Sequence, residues 1–64
     1  MRIAIEGMHC QACVRRVEKA LASVEGAKVE RVEIGSAWVE ADAVREAQAL
    51  EAVRQAGYPA RKAE

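Results

Sequence analysis

Phe, Asn and Thr are absent from the 64 residues, and Trp, Tyr, Pro and His occur once each. Without large aromatics the core must be built from Val, Ile, Leu and Ala. A single domain of this length, residues 1–64, has little apolar area to bury, so its stability is on the order of a few kcal/mol. An excess of charge is also missing, since ten basic residues face ten acidic ones. That balance speaks against nucleic acid or an anionic membrane as a partner. No apolar run approaches the ~18 residues of a membrane span, so no membrane insertion is expected. Met1-Arg2-Ile3 enters a strand-like pattern with no signal-peptide core before it, which points to a cytoplasmic protein. Cysteine is scarce too. Two cysteines three residues apart cannot form a disulfide framework, and in a reducing compartment they stay as thiols.

What is present centres on Gly7-Met8-His9-Cys10-Gln11-Ala12-Cys13, which holds both cysteines and the histidine. Before it, Arg2-Ile3-Ala4-Ile5-Glu6 alternates, with Ile3 and Ile5 on one face, as a half-buried strand does. After it, Cys13, Val14, Val17, Ala20, Leu21 and Val24 recur at intervals of three and four. They predict an amphipathic helix from about Gln11 to Ser23, with Arg15, Arg16 and Lys19 largely outside the apolar stripe. Gly26 is placed to cap that helix in a left-handed conformation.

A second strand is expected over Ala27 to Ile34. Val32 and Ile34 share a face and Val29 is out of phase, which predicts a bulge or an irregular start. Gly35-Ser36 reads as a two-residue type II′ hairpin turn. In the third strand, Ala37, Val39 and Ala41 face the core, while Trp38 and Glu40 face the other side. Asp42 is a candidate N-cap, with Glu46 in the first turn. The helix it starts should run to about Ala56 and bury Val44, Ala47, Leu50 and Val53. Gly57 stops it, and Tyr58-Pro59-Ala60-Arg61-Lys62 makes a short last strand, with Pro59 at an edge or a strand start. The order βαββαβ implies an α+β fold, with two helices on one face of a four-stranded antiparallel sheet.

Cys10 just before a helix and Cys13 in its first turn can bring two sulfurs to one point about 4–5 Å apart, roughly twice a metal–thiolate bond. The helix N-terminus favours thiolate over thiol. Two thiolates without a carboxylate form a soft, low-coordinate site suited to Cu(I), and by the same logic to Ag(I) or Hg(II). A structural zinc site normally needs four ligands, and His9 is the only third donor nearby. A thioredoxin-like redox pair is the other use of this spacing, usually on a longer scaffold. No Ser-His-Asp set, catalytic carboxylate pair or phosphate loop is present, so the chain is read as a non-enzyme.

Gly7-Met8-His9-Cys10-Gln11-Ala12-Cys13-Val14 resembles the metal-loop motif of the heavy-metal-associated (HMA) domain family. Val24-Glu25-Gly26, Leu50-Glu51-Ala52-Val53 and Gly57-Tyr58-Pro59-Ala60 resemble its later segments. The resemblance covers essentially the whole chain and implies a ferredoxin-like βαββαβ sandwich. It implies Cys10 and Cys13 as metal ligands, with Met8 packed beneath the loop and Tyr58 near it. It further implies a bacterial-type Cu(I) chaperone that hands copper to the metal-binding domain of a copper-transporting P-type ATPase or to a copper-responsive regulator. The alternatives are a mercury-binding module of the same fold, taking Hg(II), and a thiol–disulfide redox protein. Zn(II) would be favoured if His9 became a third ligand; here His9 is read as solvated. A monomer is expected, with a metal-bridged dimer as the other possible state. The basic residues Arg15, Arg16 and Lys19 are candidates for steering toward an acidic partner.

Overall fold

Strand β1 (Arg2–Ile5) places Ile3 and Ile5 on one face, and both are buried. The computed structural model describes residues 1–63; Glu64, where the expected domain ends, lies outside the described residues. Helix α1 spans Gln11–Ala22, β2 Lys28–Glu33, β3 Ser36–Glu40, α2 Ala43–Gln55 and β4 Ala60–Lys62. The sheet order is β2-β3-β1-β4, and every pairing is antiparallel. This is the expected α+β sandwich.

The core lies between one sheet face and the two helices. Ile3, Ile5, Ala37 and Val39 of the sheet meet Val14, Val17 and Leu21 of α1 and Ala49 and Val53 of α2. Ile3, Leu21, Val17, Val39 and Val53 are the largest fully buried side chains. Each contributes about 1.5–3 kcal/mol by leaving water, which has to offset the ordering of the whole chain. Among the described residues no polar or charged side chain is buried, so the core carries no desolvation penalty of that kind.

The predicted irregularity in β2 is a bulge. Val29 pairs with Val39 and Arg31 with Trp38, which leaves Glu30 as the extra residue between them. Bulging brings Val29 and Val32 to the same side despite their odd spacing, and both pack against the core. On the opposite sheet face Trp38 is half-buried. The Arg31 guanidinium lies 4.2 Å from its ring centroid and pairs with Glu33 at 2.9 Å. Trp38 is therefore capped from its own sheet.

Sequence expectations fail in several places. Helix α1 ends at Ala22 with Ser23 as its C-cap, so Gly26, at φ +84°, turns the chain beyond the cap instead of forming it, and β4 begins at Ala60 rather than Tyr58. The β2–β3 turn is Ile34-Gly35 rather than Gly35-Ser36, because Glu33 pairs directly with Ser36. Gly35 has φ +90° and Ile34 is not in the positive region, so glycine occupies the second central position, as in a type II turn. Ile34 thus sits in the turn, 51 % exposed, rather than sharing the core face with Val32.

Helix α2 is also rotated from its expected face. Asp42 does cap it, its Oδ1 accepting from the Arg45 N–H at 2.8 Å. However, Val44 is 64 % exposed and Ala47 is exposed, while Ala49 and Val53 are buried and Leu50 is half-buried. Alanines occupy every side of this helix, so the spacing of apolar residues does not define one face. The ion pair of Lys62 with Glu46, 3.1 Å, joins β4 to the inward-turned side of α2.

This topology positions the cysteine loop. β1 is central and antiparallel to both neighbours, so its C-terminal end meets the start of β3 and the start of β4. The Ile5 N–H donates to the Gly35 carbonyl at 2.9 Å, and the Glu6 N–H donates to the Pro59 carbonyl at 2.9 Å. The loop leaving β1 is flanked by the β2–β3 turn on one side and the segment before β4 on the other.

Candidate metal centre

Gly7 begins the loop at φ +86°, a left-handed conformation that glycine takes readily. A Cβ built there would lie 3.7 Å from Cδ1 of Tyr58, so the backbone turns against the tyrosine ring. Met8 then enters the core and is 7 % exposed. Its Sδ accepts the Gly35 N–H at 3.3 Å. The loop is pinned from below by apolar packing and a directed contact to the neighbouring turn.

Cys10 holds the N-cap of α1 in an extended conformation, φ −158° and ψ 177°. Its carbonyl accepts from the N–H groups of Cys13 at 3.0 Å and Val14 at 3.3 Å, closing the first turn. No side chain caps this terminus and no acidic residue lies in its first turn. The helix therefore presents its partial positive charge to the two sulfurs without competition from a carboxylate. Cys10 is exposed and Cys13 half-exposed, and both are free thiols.

The Cys13 thiol is acidified from its ordinary 9.0 to about 7. The largest cause is a hydrogen bond from Tyr58, followed by the His9 backbone. Smaller contributions come from the backbone and thiol of Cys10, and partial burial opposes them. Cys10 at the N-cap and Cys13 in the first turn set both thiols at one end of α1. Tyr58 is only 7 % exposed, and its ring packs in the core beside Gly7, next to the loop.

Arg16 was grouped with Arg15 and Lys19 on a basic face. It lies one helical turn beyond Cys13, and its guanidinium is held charged more firmly than usual. The Tyr58 hydroxyl is the main cause, and the Cys13 and Cys10 sulfurs add to it. The i, i+3 spacing from Cys13 is the sequence signal for this placement. His9 is exposed, and among the described residues no three His, Cys, Asp or Glu side chains gather into a metal-holding group. The donor set on offer is two soft thiols, which fits a low-coordinate soft ion and is short of the four ligands of structural zinc.

The sequence profile of the heavy-metal-associated domain matches residues 2–59. This chain belongs to the heavy-metal-associated domain family. Two similar proteins are from Rhizobium meliloti (strain 1021). "Copper-transporting ATPase 2" is 44 % identical over 60 residues, which is 89 % of this chain and 7 % of the relative. "Copper-transporting ATPase 1" is 46 % identical over 65 residues, 92 % of this chain and 8 % of the relative. This HMA chain therefore spans less than a tenth of the length of either protein. A solved structure described as "Crosstalk between Cu(I) and Zn(II) homeostasis" superposes with a TM-score of 0.80 at 32 % identity, covering 94 % of this chain and 91 % of that one. The HMA fold expected from the motif is the fold observed. No described helix is long and apolar enough to cross a membrane.

Proposed function

We propose that this HMA domain is a soft-metal carrier and not an enzyme: a cytoplasmic Cu(I) chaperone with Cys10 and Cys13 as its metal ligands. The observation that carries this reading is the pair of adjacent thiols at the uncapped N-terminus of α1, one of them acidified by Tyr58. Similarity to two copper-transporting ATPases supports copper as the cargo.

Hand-over follows from two-coordination on an exposed loop. A partner thiolate adds to the bound ion as a third ligand, one original thiolate then leaves, and a second partner thiolate completes the exchange. The ion is never free, and each sulfur keeps its electron pair throughout. The proposed recipient is the metal-binding domain of a copper-transporting P-type ATPase or a copper-responsive regulator. Arg15, near the loop end of α1, and Lys19, in its last turn, are exposed and steer an acidic recipient.

The test is transfer itself. Cu(I)-loaded protein mixed with a purified HMA domain of a copper-transporting ATPase should pass its ion faster than dissociation into buffer allows. Transfer no faster than spontaneous dissociation would reject a carrier role.

A further inference from the structure

Arg54 lies in the last turn of α2, where a basic residue ordinarily complements the helix C-terminus. Its bonds reach further. Its backbone carbonyl accepts the Gly57 N–H at 3.0 Å, and its Nε donates to the Ala60 carbonyl at 3.0 Å. One residue therefore ties both limbs of the segment that carries Tyr58.

That segment needs tying. Gly57 has φ +104°, and a Cβ built there would meet nothing within 4 Å, so glycine supplies backbone freedom and no packing. Pro59 has no N–H to give. The remaining backbone bonds are Tyr58 N–H to the Val53 carbonyl at 3.3 Å and Glu6 N–H to the Pro59 carbonyl at 2.9 Å. Carbonyls alternate in direction along an extended chain. With that of Pro59 turned to β1, that of Ala60 faces the open edge of the sheet, where no strand can bond it. Arg54 fills that position. The strap it closes sets the Tyr58 ring beside Gly7, where the cysteine loop begins.

We propose that Arg54 is a positioning residue for the metal loop: its side chain closes the 57–60 strap, keeps the Tyr58 ring against Gly7 so that its hydroxyl can donate to the Cys13 sulfur in the loaded protein, and thereby slows escape of the bound ion. The inference rests on the reading of Cys10 and Cys13 as the metal ligands. A hydroxyl donated to the sulfur of a negatively charged bis-thiolate complex stabilises the loaded state, and its loss speeds release. Arg54 acts through Tyr58, so its effect depends on that hydroxyl.

Two measurements on the 64-residue chain test this. In the metal-free protein, Arg54→Met keeps the apolar stem and removes the donor. The Glu6 amide, bonded to Pro59, should exchange at least tenfold faster, while the Val39 amide, bonded to Met1 at the far end of the sheet, stays unchanged. Equal acceleration at both amides, or none at Glu6, overturns the strap whatever the metal chemistry. In the Cu(I)-loaded protein, release to a bathocuproine-type chelator is followed for Arg54→Met, Tyr58→Phe and the double variant. Each single variant should release at least threefold faster, and the double variant should match Tyr58→Phe alone. Additive acceleration, or a response to Tyr58→Phe without one to Arg54→Met, overturns the positioning role. Failure of Cys10→Ser and Cys13→Ser to weaken Cu(I) binding would instead reject the ligand assignment, while the amide result still judges the strap.

Discussion

The Tyr58 ring lies against Gly7, its Cδ1 3.7 Å from a Cβ built there, and its hydroxyl is the largest cause of the drop in the Cys13 pKa to about 7. A core aromatic from the end of the chain thus sets the chemistry of a loop near its start. Tyr58→Phe keeps the buried ring and removes only the hydroxyl. The Cys13 pKa should move back up toward 9.0, read as thiolate absorbance against pH in the metal-free protein. An unchanged midpoint would mean that the hydroxyl does not reach the sulfur.

The same shift has a consequence for stability. The folded pKa of Cys13 is depressed, so its contribution is fully present above the unfolded value of 9.0 and fades as pH falls through about 7. Denaturation of Cys13→Ser and the parent across that window should show their stability difference shifting in favour of the parent as pH rises. A difference independent of pH would contradict the linkage.

Met8 combines packing with an accepted hydrogen bond from Gly35. Met8→Leu preserves volume but strands that N–H, and should cost about 1–3 kcal/mol in urea denaturation. Met8→Ala also opens a cavity and should cost about 2–5 kcal/mol. Equal stability of Met8→Leu and the parent would show that the sulfur serves only as filler.

The face of α2 is testable by two valines. Val53 is fully buried and Val44 is mostly exposed. Val53→Ala should cost about 2 kcal/mol, whereas Val44→Ala should stay within about 0.5 kcal/mol. Comparable losses at both valines would restore the face that the sequence suggested, which buries Val44 together with Val53.

The basic residues of α1 should separate. Reversing Arg15 and Lys19 together should slow transfer to an acidic recipient at low salt and leave Cu(I) affinity unchanged. Arg16→Glu should also weaken Cu(I) binding, because the Arg16 charge, three residues after Cys13 on α1, is replaced by one that repels thiolates. Identical behaviour of all three positions would return Arg16 to a general docking role.

The order of elements was legible because each carries a strong local signal. Ile3 and Ile5 alternate, α1 repeats at three and four, and Asp42 caps α2. The bulge in β2 was legible from the phase of Val29 against Val32. The β2–β3 turn was misplaced because both Ile34-Gly35 and Gly35-Ser36 put glycine in a two-residue turn; pairing with β3 decides between them. The inner face of α2 was hidden because alanine is compatible with any face. Around the loop, the placement of Cys10 and Cys13 at the start of α1 and the burial of Met8 could be read from the motif. The Arg54 bond to Ala60 could not, since it spans two elements and depends on which carbonyl the sheet edge leaves open.

The central claim is that Cys10 and Cys13 together hold one soft ion. Cu(I) competition against a chelator of known affinity tests it most directly. One tightly bound ion per chain is expected, with Cys10→Ser and Cys13→Ser each weakening it at least about a hundredfold, roughly 2.8 kcal/mol. Parent-like affinity in both variants would contradict the account.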